Sequence, residues 1–238
     1  MKSMTEEKTD REYSRVDEKK EYGIVDSLLK SPESLVKRLQ GDSVGKTAMV
    51  LLAATSCGFI VYGLVTGTFS MGNQLWLAAL KIWAGALITA LMCFPSFYIF
   101  ACLGHAEINL KQAFAVMFAG LALASVLLIG FMPVALVFST STNSVAFMGF
   151  FHLVFWFISA AFGMRLIRRL LRLCRAKWSI FIYTWGAIFF ITSLQMMTAI
   201  RPIIGTSETI LPEKKMFFTE NWLRSMGLLD EDEHPVGR

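Results

Sequence analysis

The chain has 238 residues, of which 55% are hydrophobic and 17% are charged, and its formal net charge is +5. Soluble domains carry about 25% charged residues, so this composition argues against a soluble domain and for a membrane protein. The excess positive charge is concentrated in one connection between apolar segments, so nucleic acid binding is not expected.

The chain begins with two polar segments of different character. Residues 1–23 are charged throughout and have no apolar stretch, which predicts a disordered cytoplasmic tail without a signal peptide. Residues 24–46 are predicted to be an amphipathic interfacial segment. Within it, Ser31-Pro32-Glu33 resembles a helix start, with an N-cap, a first-turn proline and an acid. A helix over residues 32–40 is therefore expected on the membrane surface, or alternatively as an ordinary linker.

Five apolar segments follow, and together they define a transmembrane domain over residues 47–200. The second and third segments contain Pro95 and Pro133, each of which is expected to kink its helix, with Ser96 bonding to backbone that Pro95 frees. The predicted fold is therefore all-α, a polytopic transmembrane helical bundle with proline-kinked second and third helices. The five predicted spans are residues 47–68, 75–104, 112–137, 144–164 and 178–200.

The loops between these segments alternate in Lys and Arg content, which predicts their orientation. The segment before the first span and the connection over residues 165–177 are rich in basic residues, whereas residues 67–74 and 139–143 have none. A cytoplasmic N-terminus and an extracytoplasmic C-terminus follow, in the inner membrane of a bacterium. Residues 201–238 are then an extracytoplasmic tail, in which residues 213–226 are predicted to form a short amphipathic helix.

Three polar side chains inside the spans are candidates for function, because polar groups at membrane depth are costly. Lys81 either extends its charge back to the headgroups or has a partner or ligand. His152 is either a hydrogen-bonded packing residue or a functional one, and Gln195 is either a contact between helices or part of a pore.

Enzyme motifs are missing from the sequence. It has no HExxH, GxSxG or phosphate-binding loop, and its predicted spans contain no Asp or Glu. The four cysteines form no CxxC pair and are expected to pack as small apolar groups. No enzyme activity, cofactor or metal is therefore expected.

The basic connection has a regular arrangement of arginines. Arg165, Arg168, Arg169 and Arg172 have the spacing of one helix face, on a helix that continues from the fourth span. Such a face lies near anionic headgroups, each basic side chain contributing about 1 kcal/mol of attraction. The four residues either form a lipid or partner site or serve only to set the topology.

Several short motifs occur in and around the predicted spans: Leu29-Lys30-Ser31-Pro32, Tyr62-Gly63, Lys81, Phe94-Pro95-Ser96-Phe97-Tyr98, Arg201-Pro202, Phe217-Phe218 and Trp222. With these motifs, the sequence resembles the bacterial branch of the Yip family of membrane proteins over residues 29–222. The resemblance implies five membrane helices and no catalytic residues. Similar sequences also carry an actin-binding label, but Leu29-Lys30-Ser31 and Leu35-Val36-Lys37-Arg38 match the actin-binding motif poorly, so actin binding is not expected.

These features together predict a non-enzymatic integral membrane protein, a membrane organiser or an accessory subunit. The alternative is a small oligomeric channel or transporter with its pathway between the second and third spans. The expected partners are membrane lipids, anionic ones included, and a second copy or another membrane protein. Pairs of small residues such as Gly120 and Ala124 suit packing either within the protein or between subunits.

Overall fold

The computed structural model describes residues 24–30, 32–41, 43–68, 74–141, 145–177 and 180–199, and every element in these ranges is a helix. The prediction of an all-α bundle is confirmed. The predicted tails, residues 1–23 and 201–238, lie outside the described residues. The helices are α1 (Ile24–Lys30), α2 (Pro32–Gln40), α3 (Val44–Thr68), α4 (Gln74–Leu103), α5 (Leu110–Ser141), α6 (Val145–Leu173) and α7 (Ile180–Ala199).

Four of the described helices are long and apolar enough to cross a membrane, which supports a multi-pass membrane protein. Their apolar stretches are Val44–Gly67, Trp76–Leu103, Leu110–Phe138 and Gly149–Leu173. The apolar part of α7, Ile180–Met196, is shorter. The fifth span therefore stays a prediction.

The two prolines in the spans lie inside continuous helices. Pro95 is within α4 and Pro133 is within α5, and both are exposed. The Ser96 hydroxyl donates a hydrogen bond of 2.8 Å to the carbonyl of Cys93, which differs from the Leu91 carbonyl that Pro95 leaves without its N–H partner. The kinks at both prolines stay a prediction.

The long helices pack in an order that differs from their order in the chain. Helix α5 lies between α3 and α6, α3 also packs against α4, and α4 packs against α7. The helices of each hairpin, α4 with α5 and α6 with α7, make few contacts with each other.

Glycines form two of the close crossings. A Cβ atom on Gly63 of α3 would lie 2.5 Å from Ala79 Cα of α4, and one on Gly163 of α6 would lie 2.5 Å from the Gly120 oxygen of α5.

The short helices α1 and α2 cover one end of the bundle. Their apolar side chains, including Leu28, Leu35 and Leu39, are buried, and the helices contact α3, α5 and α6. The Gln112 amide at the start of α5 donates a hydrogen bond of 2.9 Å to the Leu39 carbonyl. The predicted helix over residues 32–40 is thus present, and its apolar side is covered by protein. A location of residues 24–46 at a membrane interface stays a prediction.

The α4–α5 and α6–α7 connections have the same backbone structure. His105 and Arg175 end their helices with φ angles of 62° and 66°, in the left-handed region. The next amides, of Ala106 and Ala176, bond to the carbonyls five residues before them. Two reciprocal hydrogen bonds of 2.9 Å then join the loops, from the Glu107 amide to the Cys174 carbonyl and from the Lys177 amide to the Gly104 carbonyl. The two helical hairpins therefore meet as a local two-fold pair.

Candidate functional site

The arginine face at the end of α6 contacts two different neighbours. The Arg169 guanidinium forms an ion pair with the Glu33 carboxylate of α2, and both side chains are about half exposed. The Arg168 guanidinium lies over the ring of Tyr183 of α7, 4.2 Å from its centroid, and that of Arg165 lies 5.2 Å from the centroid of Phe162. The four arginines are on one helix as predicted, but Arg169 is occupied by Glu33 and differs in surroundings from Arg165 and Arg168.

The Glu33 carboxyl is the acidic partner in this contact. A hydrogen bond to its own backbone amide lowers its pKa below the usual value; burial opposes this, and the hydrogen bond and charge of Arg169 lower the pKa further. The Glu33 position, in the first turn of α2, also suits an acid. The ion pair is exposed to solvent, so its contribution to stability is at most about 1 kcal/mol.

Arg165 and Arg168 line a cleft of about 590 Å³ between α6 and α7. The cleft exists because α6 and α7 make few contacts with each other, while α6 packs closely on α5. Its floor is formed by α5, including Gly120 and Ala124, and its walls are mostly apolar. It is open at the side, since the lining residue Ala161 is exposed, as are Tyr183 and Ala187 across from it. A volume of this size is within the range of small-molecule pockets, about 300–1,000 Å³.

Two buried polar atoms belong to residues that line this cleft. The Ser159 hydroxyl and the Nε of Arg168 are buried and have no hydrogen-bond partner among the described residues. Arg168 and Arg165 also have no acidic partner there, whereas Arg169 pairs with Glu33 and Arg175 with Glu107. The end of the cleft next to the basic connection therefore carries positive charge that the described protein does not neutralise.

The walls of the cleft depend on close helix packing. A Cβ atom on Gly163 would lie 3.5 Å from the Cβ of Ala124 as well as against the Gly120 oxygen, so these small residues let α6 approach α5. On the other wall, Trp185 of α7 is 1% exposed and donates a hydrogen bond of 3.1 Å to the Cys93 carbonyl of α4. The Gly120–Ala124 pair thus takes part in packing within the protein.

The predicted polar candidates inside the spans lie apart from the cleft. His152 is 9% exposed, and its Nδ1 is 2.6 Å from the hydroxyl of Tyr62 on α3, while its Nε2 has no partner among the described residues. Lys81 is 6% exposed and is engaged in an interaction within the protein. Gln195 lies on an exposed part of α7. The structure brings none of these three into a common site with the arginines.

Sequence reasoning identified the arginines but not the residues that make a cleft beside them. Ser159, Gly163 and Gly186 are small residues on the facing walls, and Tyr183 stacks on Arg168. The signal available in the sequence was the Ser159–Gly163 pair of small residues, which are four apart and end two residues before Arg165. The facing wall on α7, which includes Gly186, has no comparable pair of small residues. Among the described residues, no group of three or more His, Cys, Asp or Glu side chains is placed to hold a metal ion.

Comparison with protein-family models, with curated proteins and with solved structures gave no match.

Proposed function

We propose that this chain is a non-enzymatic integral membrane protein with five spans, and that it acts as a membrane organiser or accessory subunit. The observation that supports this function best is that several deep polar groups are hydrogen-bonded within the bundle. Tyr62 pairs with His152, and Trp185 and Ser96 both donate to the Cys93 carbonyl, so these groups join one helix to another or to its own backbone. A catalyst or a transporter would instead direct such groups toward a shared opening.

The fifth span rests on α7. Twenty residues give it a length of about 30 Å at 1.5 Å per residue, which equals the hydrocarbon thickness of a typical bilayer. It packs along α4, whose apolar stretch is long enough to cross, and its exposed side chains include Ile180, Ile188 and Ile191. A helix with an apolar exposed side beside a spanning helix is best accommodated in the membrane.

Orientation is the part of this proposal that a fusion experiment tests directly. With a cytoplasmic basic connection, a reporter that is active only in the cytoplasm should work when fused after residue 177. It should fail when fused after residue 143 or after residue 238. Activity of the fusion after residue 238 would mean that α7 does not cross the membrane, and the five-span proposal would be wrong.

The rival function, an oligomeric channel between α4 and α5, is tested by flux. Helix α3 packs against both α4 and α5, which leaves less room for a pathway between them. Purified protein in liposomes should therefore pass no more ions or dye than empty vesicles, with a known pore as positive control. Flux above that level that is abolished by Lys81→Ala would overturn the organiser proposal in favour of a channel. A structural accessory role also predicts that a partner membrane protein copurifies after cross-linking in cells.

A further inference from the structure

The cleft beside the α6–α7 hairpin occupies the position that helix α3 fills beside the α4–α5 hairpin. The two hairpins meet through reciprocal backbone bonds, so α4 corresponds to α6 and α5 to α7. The helix packing has the same two-fold relation, since α4 lies against α7 and the corresponding helix α6 lies against α5. Helix α3 packs on both α4 and α5. Along α6 and α7, the described part of the chain offers no such helix, and the cleft is found there.

The dimensions of the cleft suit one leaflet of a bilayer. On α6 its lining runs from Trp156 to Arg168, about 18 Å at 1.5 Å per residue. Half of a hydrocarbon core of about 30 Å is about 15 Å. One end carries the guanidinium groups of Arg165 and Arg168, next to the basic connection, and the rest is mostly apolar, with the Ser159 hydroxyl among its polar groups. The charge therefore lies at the headgroup end and the apolar walls lie at the depth of acyl chains.

We propose that this cleft binds an anionic phospholipid, with an acyl chain between α6 and α7 and the phosphate at Arg165 and Arg168. Guanidinium groups present several N–H donors to a phosphate, and Arg168 Nε is a buried donor without a partner among the described residues. A helix in the cleft, from this chain or a second copy, would need an acid for these arginines. The phospholipid supplies that charge and the apolar chain together.

The first arm of the test uses native mass spectrometry of the full-length protein in detergent. The probes are dioleoyl phosphatidylglycerol, which is anionic, and dioleoyl phosphatidylcholine, which is not. The protein should prefer the phosphatidylglycerol. The variant Arg165→Gln/Arg168→Gln should bind it about 25-fold more weakly, at about fivefold per arginine. The matched control, Arg169→Gln/Arg172→Gln, removes the same charge from the same helix end and should change binding less than fivefold.

The second arm tests the apolar part of the site. Ala160 lines the cleft, so Ala160→Trp should displace the acyl chain and reduce phosphatidylglycerol adducts at least tenfold. Ala53 is exposed on α3, outside the lining, and Ala53→Trp is the matched control that should keep wild-type binding. Circular dichroism establishes that each variant retains its helices, and the two arms change different parts of the site, so neither depends on the folding of the other.

Three results would overturn the proposal. Equal losses in the two double arginine variants would show general attraction to a charged helix end. Unchanged adducts in Ala160→Trp would place the lipid elsewhere. A wild-type dimer that Ala160→Trp converts to monomers would identify a second copy of the chain as the occupant. The site does not depend on the organiser function, because vesicle flux tests that function and lipid adducts test the site.

Discussion

The crossing of α3 and α4 at Gly63 permits a sharp prediction about what holds the bundle together. A Cβ atom on Gly63 would lie 2.5 Å from the Cα of Ala79 and 3.3 Å from both its nitrogen and its oxygen. These are backbone atoms, so no side-chain rotation can relieve the contact. Because ordinary van der Waals contact begins at 3.4 Å, we expect Gly63→Ala to push the two helices apart by about 1 Å.

The magnitude follows from two opposing effects. Overpacking of a close contact costs about 1–3 kcal/mol, whereas alanine in place of glycine within a helix contributes about 0.8–1 kcal/mol. A net loss of up to about 2 kcal/mol is expected for Gly63→Ala. Gly130 of α5 is the matched control, because it is exposed and a Cβ atom there would meet nothing within 4 Å. Gly130→Ala should therefore stabilise the protein by up to about 1 kcal/mol.

Thermal unfolding in detergent micelles, followed by circular dichroism, measures the difference between these two variants. They differ by about 1–3 kcal/mol, the overpacking cost, which for a chain of this size is about 2–12 °C in melting temperature. If Gly63→Ala melts at or above the temperature of Gly130→Ala, the helices do not approach closely at Gly63. The α3–α4 packing described above would then be wrong.

Two further contacts give predictions by the same assay. Tyr62→Phe removes the hydroxyl that lies 2.6 Å from His152 Nδ1, and it should destabilise the protein by about 0.5–1.5 kcal/mol. The control Tyr183→Phe, at an exposed ring, should leave the stability nearly unchanged. Equal melting temperatures of the two variants would contradict the pairing of Tyr62 with His152. Glu33→Gln should cost at most about 1 kcal/mol at neutral pH. Folding lowers the pKa of Glu33, so its contribution is present above the ordinary pKa and is lost as the pH falls through the lowered value. The difference between the variant and the wild type should therefore shrink as the pH is lowered below the ordinary pKa, and a difference that does not change with pH would contradict the ion pair.

The positions of the long helices were predictable because hydropathy alone decides them. The second predicted span, residues 75–104, corresponds to α4 at Gln74–Leu103, and the fourth continues into the arginines as one helix, Val145–Leu173. A long apolar run in a bilayer must satisfy its backbone internally, and a helix does so without any partner. The observed α3 and α5 begin before the predicted spans, because a helix can continue beyond the apolar stretch that places it in the membrane.

The division of the arginine face was not predictable, because it depends on partners far away in the sequence. Arg169 meets Glu33, 136 residues before it, and His152 meets Tyr62, 90 residues before it. Helical spacing places four arginines on one face, but it gives no information about which neighbouring helix each one contacts. The cleft is even harder to predict from the sequence, because it forms where α6 and α7 make few contacts with each other while α6 packs closely on α5.

The matched loops give a physical reason for the cleft. Because the α4–α5 and α6–α7 connections bond to each other through their backbones, each hairpin packs on the other rather than on itself. The four helices of such a pair have two equivalent sides, one along α4 and α5 and one along α6 and α7. Helix α3 covers the side along α4 and α5. The other side has small residues, apolar walls and, at its end, two arginines that have no acidic partner in the described part of the chain. In a bilayer, an open apolar groove is in contact with lipid by default, and the two unneutralised charges favour a lipid that carries a negative headgroup.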